Sequence, residues 1–235
     1  MHALAITILT GWLAGCDVVY GLSRPDGGAC DHLPRQQVQG LVSSGDVLTF
    51  EPNPTEAGSL LVLMTVGTYS QSMIASIVDG GNTWIRAPVI LPSSLDNAAL
   101  DLWYVADAKS VSSITVQLSV QYSMAVSLTE WTCPATMPFV AGASAPAAMS
   151  SLAETGSLST NVDSLVIGAV AFSDVTTTAT FMETSGFTEL NPFATRTAAG
   201  GRAAFAWQPP GTYELTWMLS PAASWVAAIV SFETR

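Results

Sequence analysis

The chain has 235 residues, 49% of them hydrophobic and only 11% charged, so it has the apolar content to bury a core and lacks the Lys and Glu needed for amphipathic helices. Its formal net charge is −11, and the seven basic residues are spread singly from Arg24 to Arg235. No basic stripe exists to neutralise phosphates, which argues against nucleic acid as a partner and reads the acidity as a matter of solubility.

Residues 3–13 form an apolar run. It is too short to cross a hydrocarbon layer of about 30 Å as a helix but suits the core of a signal peptide. The run leads into Leu13-Ala14-Gly15-Cys16, which resembles the lipobox of bacterial lipoproteins. That resemblance implies removal of residues 1–15, a diacylated thiol on Cys16, and an exported protein held to the cell envelope, in the periplasm or at the cell surface, through a lipid anchor in the membrane. Asp17 fits the inner-membrane retention rule of some of these proteins. One departure is an n-region of Met1 and His2 without Lys or Arg, so either translation starts further upstream or export is inefficient. The alternative is that the run is a buried first element with Cys16 as a core thiol.

Residues 16–45 contain Pro25, Gly27, Gly28 and Pro34 and little apolar periodicity, which reads as a tether with a reach of about 30 Å. Assigning Cys16 to lipid leaves Cys30 and Cys133, which an oxidising compartment would allow to pair as a disulfide or leave as two thiols.

From Asp46 onward the pattern is period two or short apolar runs between Gly, Pro, Asn, Asp and Ser. Ile114, Val116, Leu118 and Val120 share one face of a strand, and Tyr213, Leu215, Trp217 and Leu219 share another. Residues 60–66 and 165–172 are almost continuously apolar and suit central strands. The segments also recur in order. Gly58-Ser59-Leu60-Leu61-Val62 is answered by Asp163-Ser164-Leu165-Val166-Ile167, and Gly81-Asn82-Thr83-Trp84 by Gly186-Phe187-Thr188-Glu189. Residues 100–106, 114–119 and 125–132 are answered by 203–208, 213–219 and 226–234.

Two repeated halves, about 46–132 and 151–235, each with one buried face, predict an all-β fold: a two-layer antiparallel β-sandwich with jelly-roll or Greek-key connections. The Pro- and Ala-rich residues 133–150 would be the crossover between halves, and two separate small domains is the competing arrangement. With its Gly-Ser-Leu-Leu-Val, Gly-Asn-Thr-Trp, Leu-Trp-Tyr-Val and Glu-Trp segments, the stretch 46–235 resembles a recurrent secreted bacterial β-sandwich. The resemblance implies the fold and no particular activity.

Catalytic material is scarce. His2 leaves with the signal peptide and His32 falls in the tether, so Ser-His-Asp, Cys-His or imidazole-zinc chemistry has almost no material in the folded domain, and neither a metal nor a cofactor is expected. Glu130 is the carboxylate worth naming: alternation places it with Met124, Val126 and Leu128, where it would be a buried or cleft acid of a glycoside hydrolase, unless a bulge turns it to solvent or a backbone N–H or an arginine such as Arg86 or Arg202 satisfies it. Asp79-Gly80-Gly81-Asn82 reads as a hairpin turn, with a calcium loop as the alternative. If Leu100, Leu102 and Tyr104 point inward, Trp103 points out beside Asp101, and Trp131 is out of phase with its apolar neighbours. These tryptophans are the candidates for stacking on sugar rings, unless they are sheet cover. The reading reached is a non-catalytic binding or structural module at the envelope, with glycan as the foremost ligand class and an envelope protein next. Its rivals are a carbohydrate-active hydrolase using Glu130 and a subunit of a surface assembly.

Overall fold

A computed structural model describes residues 32–67, 74–87, 98–132, 134–182, 184, 186–196 and 198–234. Among these every regular element is a strand. The first half of the chain supplies β1 (Gln36–Phe50), β2 (Leu60–Gly67), β3 (Ile74–Val78), β4 (Ile85–Arg86), β5 (Ala99–Val105) and β6 (Ile114–Trp131). The second half supplies β7 (Pro134–Glu154), β8 (Leu158–Thr160), β9 (Ser164–Phe172), β10 (Thr178–Met182), β11 (Thr188–Glu189), β12 (Phe193–Ala194), β13 (Gly200–Gln208), β14 (Gly211–Tyr213) and β15 (Thr216–Thr234).

Each half builds its own antiparallel sheet. The first runs β1-β6-β2-β5-β4 with β3 on β6; the second runs β10-β15-β9-β13-β11, with β7 also on β15 and β12 on β13, and β8 pairs with β14 apart. The two large sheets pack against each other, so the protein is an all-β sandwich. Leu60, Val62, Met64 and Val66 of β2 and Leu100, Leu102 and Tyr104 of β5 meet Leu165, Ile167, Ala169 and Ala171 of β9 and Val226, Ala228, Val230 and Phe232 of β15 in one core. A polar clasp closes its rim. The Gln37 amide donates to Ser127 Oγ (3.0 Å) and to the Asn191 carbonyl (3.1 Å) and accepts from the Asn191 N–H (2.9 Å), while Gln39 donates to the Pro192 carbonyl (2.8 Å).

To this pair of layers the structure adds a fold-over within each half. Residues 36–42 of β1 pair with 124–130 of β6, residues 47–50 pair with 114–117, and the register shifts between the two stretches. The stretches turn back on each other: a Cβ at Gly40 would lie 3.2 Å from the Leu48 side chain, although eight residues of straight strand span about 26 Å. Leu61, Leu63, Val126 and Leu128 thereby pack with Leu48, Phe50, Ile114 and Val116 in a second core. The second half repeats the device, with Val166, Val170 and Ile229 against Leu215, Trp217 and Leu219. The central strands are therefore covered on both faces, which is why β2 and β9 read as unbroken apolar runs.

Two boundaries differ from the sequence expectation. The strand begins at Gln36 and not after Gly45, because Gln36 and Gln37, polar as they are, are buried by hydrogen bonding. Residues 134–154 are not a crossover loop but β7, paired with β15 from Glu154 back to Pro134. On the described strands β7 has a neighbour on one side only, and a sheet edge is where Pro134, Pro138 and Pro146 can sit without losing a ladder bond.

Leu60 and Leu61 are both fully buried but in different cores. Leu60→Ala and Leu61→Ala should each destabilise by about 2–5 kcal/mol in urea unfolding. A near-neutral Leu61→Ala would show that the fold-over does not cover that face.

Candidate functional site

Glu130 lies on the face that alternation assigns to it, 0% exposed, in the core side of β6 shared with Met124, Val126 and Leu128. Its carboxylate is fully engaged. Oε1 accepts from the Glu56 backbone N–H (2.6 Å) and the Ser59 hydroxyl (2.9 Å), and Oε2 accepts from the Gln36 amide (2.6 Å) with Arg35 Nε at 4.0 Å. Arg35 also pairs with the Glu56 carboxylate, and its backbone N–H donates to the Glu130 carbonyl (2.8 Å). Such donors stabilise a buried charge that would otherwise be expelled. The group joins three separate segments: the start of β1, the loop before β2, and the end of β6. The expected satisfying partners were of the right kind, a backbone N–H and an arginine, but the arginine is Arg35 and neither Arg86 nor Arg202.

Trp131 does not present a ring to solvent. It is 0% exposed in the core between the sheets, edge-on to Phe205 (centroids 4.8 Å apart) and Trp207 (6.5 Å), with its indole N–H on Thr129 Oγ1 (2.8 Å). Out of phase with Met124, Val126 and Leu128 means facing the other sheet, so as a sugar platform Trp131 is excluded. Trp217 is buried in the second half's own core, and Trp207 is half-buried against the core between the sheets with His32 on its edge (5.9 Å).

Asp101 and Trp103 do share the face of β5 opposite Leu102 and Tyr104, but that face is not open. Asp101 is 1% exposed and Trp103 is half-buried against the core of the first half. The structure adds Arg86, which stands opposite Trp103 in the β4–β5 register and donates from Nε (2.9 Å) and Nη2 (2.5 Å) to Asp101 Oδ1. Sequence reading missed this partnership because a two-residue strand has no periodicity to show which residue it faces. Next along β5, burial pushes the Tyr104 phenol above its ordinary range, so it stays neutral as its ring packs edge-on to Phe232.

Asp79 caps the turn that delivers β4. Its carboxylate accepts from the Gly81 and Asn82 backbone N–H groups (3.2 and 2.9 Å), the Asn82 amide (2.9 Å) and the Trp84 indole (3.0 Å), while Gly80 takes φ +85°. Asn82 in turn binds the Lys109 N–H (2.7 Å). With its oxygens occupied by these donors, Asp79 serves the turn and not a calcium ion. Among the described residues no group of three His, Cys, Asp or Glu side chains is placed to hold a metal. Cys16, Cys30 and Cys133 lie outside the described residues. Comparison of the chain with protein-family models, with curated proteins and with solved structures returned no match in any of the three.

Glu130→Gln keeps the shape but loses the charge and turns a donor toward donors. It should lower unfolding free energy by about 3 kcal/mol, and Glu130→Ala by at least as much, measured by urea denaturation. A change within about 0.5 kcal/mol for both would show that the carboxylate does not tie the three segments together.

Proposed function

We propose that the chain is a non-catalytic, lipid-anchored module of the bacterial cell envelope that binds a ligand, with glycan the leading class. The observation that carries the non-catalytic part is the closed carboxylate of Glu130. A general acid or nucleophile must reach substrate, whereas this group is enclosed and its acceptor sites are taken by Gln36, Glu56, Ser59 and Arg35. The hydrolase reading loses its only named acid on that account. The apolar run of residues 3–13 and the lipobox-like Leu13-Ala14-Gly15-Cys16 support the envelope location, and the shared pairing order of the two sheets supports the inference that the halves descend from one duplicated unit.

A second reading, membership of a surface assembly, is favoured by β7. Its ladder partner is β15 alone among the described strands, and residues 134–153 carry no charged side chain, so its outer edge could add a strand from another chain. Pro134, Pro138 and Pro146 interrupt that edge and weigh against it.

Two measurements test the proposal. Cells producing the chain should incorporate an alkyne-labelled fatty acid into it, and Cys16→Ser should abolish the label and release the protein from membranes; a label retained by Cys16→Ser places the anchor elsewhere, and no label on the unaltered chain removes it. The purified chain should leave chromogenic glycosides unhydrolysed. Turnover that disappears in a folded Glu130→Gln variant would overturn the non-catalytic assignment.

A further inference from the structure

The β4 edge of the first sheet holds a buried hydrogen-bond acceptor and a donor that the protein itself does not match. Among the described strands β4 is the last of its sheet, so the β4–β5 pair forms its edge. Both Arg86 donors go to Asp101 Oδ1, and Oδ2, buried with its residue, has no donor. Two residues along the same face, the Trp103 indole N–H has no acceptor. The two groups start about 7 Å apart along the strand, at the 3.3 Å rise of an extended chain. Arg86, with 38% of its side chain exposed, is the part of this group that reaches solvent, while Asp101 is buried beneath its guanidinium. Buried polar groups are normally paired, and an unmatched acceptor and donor two residues apart on one strand face describe what is missing: a small group that both donates and accepts.

We infer that Arg86, Asp101 and Trp103 form a subsite for a neutral polyol, a pyranose unit of a glycan. One sugar hydroxyl donates to Asp101 Oδ2, and a neighbouring hydroxyl oxygen accepts from Trp103 Nε1. Arg86 is the gate and the positioning residue: it holds the carboxylate by one oxygen and turns aside as the sugar enters. The ligand is neutral for two reasons. Arg86 and Asp101 offset each other's charge at the site, and the formal net charge of −11 repels acidic sugars. The subsite rests on the glycan-binding reading above and deepens it.

The test is a titration of the full chain, in detergent micelles, with neutral hexasaccharides of glucan, chitin, mannan and xylan, and with oligogalacturonate as the acidic counterpart. Affinity is read by calorimetry. In parallel the indole ¹⁵N–H resonance of Trp103, identified by its loss in Trp103→Phe, is followed by NMR. A neutral oligosaccharide is expected to bind and to move that resonance, and Trp103→Phe and Asp101→Asn are each expected to weaken binding at least tenfold with unchanged circular dichroism. Should Asp101→Asn fail to fold, the resonance and Trp103→Phe, which keeps an aromatic ring in place, decide the matter. Neutral-sugar binding that leaves the resonance still and survives Trp103→Phe overturns this subsite while the module reading stands. Preference for oligogalacturonate overturns the neutral ligand, and failure of every sugar to bind overturns both the subsite and the glycan reading.

Discussion

A strand that is apolar on both faces has to be covered on both, and the architecture follows from that requirement. β2 and β9 are buried at every position, so each needs a lid above and below. One lid is the other half of the chain; the second is the bent-over portion of the strand's own half, brought back by β1 and β6 or by β7 and β15. Full burial of one Leu, Val or Phe side chain stabilises by about 1.5–3 kcal/mol, so leaving either face of these strands wet would forfeit many such contributions. The two packed sheets consequently share one core between the halves, while each half has a further core of its own.

So dry an arrangement sets strict terms for polar side chains. Glu130 meets them with four partners drawn from two segments other than its own, and in doing so it fixes where the chain enters the fold at Arg35 and Gln36. The Gln37 and Gln39 amides meet them across the two halves. Asp101 meets them with one oxygen only. That difference separates a structural carboxylate from a candidate binding group: the first has no capacity left for a ligand, and the second retains it beside an indole in the same state.

Much of the fold was legible in the residues because the two strongest signals are local. Continuous apolar runs marked β2 and β9, and alternation marked the start of β6 and the Leu215, Trp217, Leu219 face; both depend only on neighbours along the chain. Alternation also put Glu130 on its correct face and Trp103 beside Asp101. It failed at β1 and β7, whose Gln-rich and Pro/Ala-rich stretches carry weak patterns and become strands through their pairing with β6 and β15.

The sequence by itself determined the all-β character of the described residues and which side chains share a strand face. Only the tertiary structure decided what each face meets. A period of two says that Trp131 and Glu130 point opposite ways, but whether water, another sheet or a folded-back strand lies there depends on contacts far apart in the chain. For the same reason Arg35, Arg86 and Ser59 found their carboxylates only once the strands had paired.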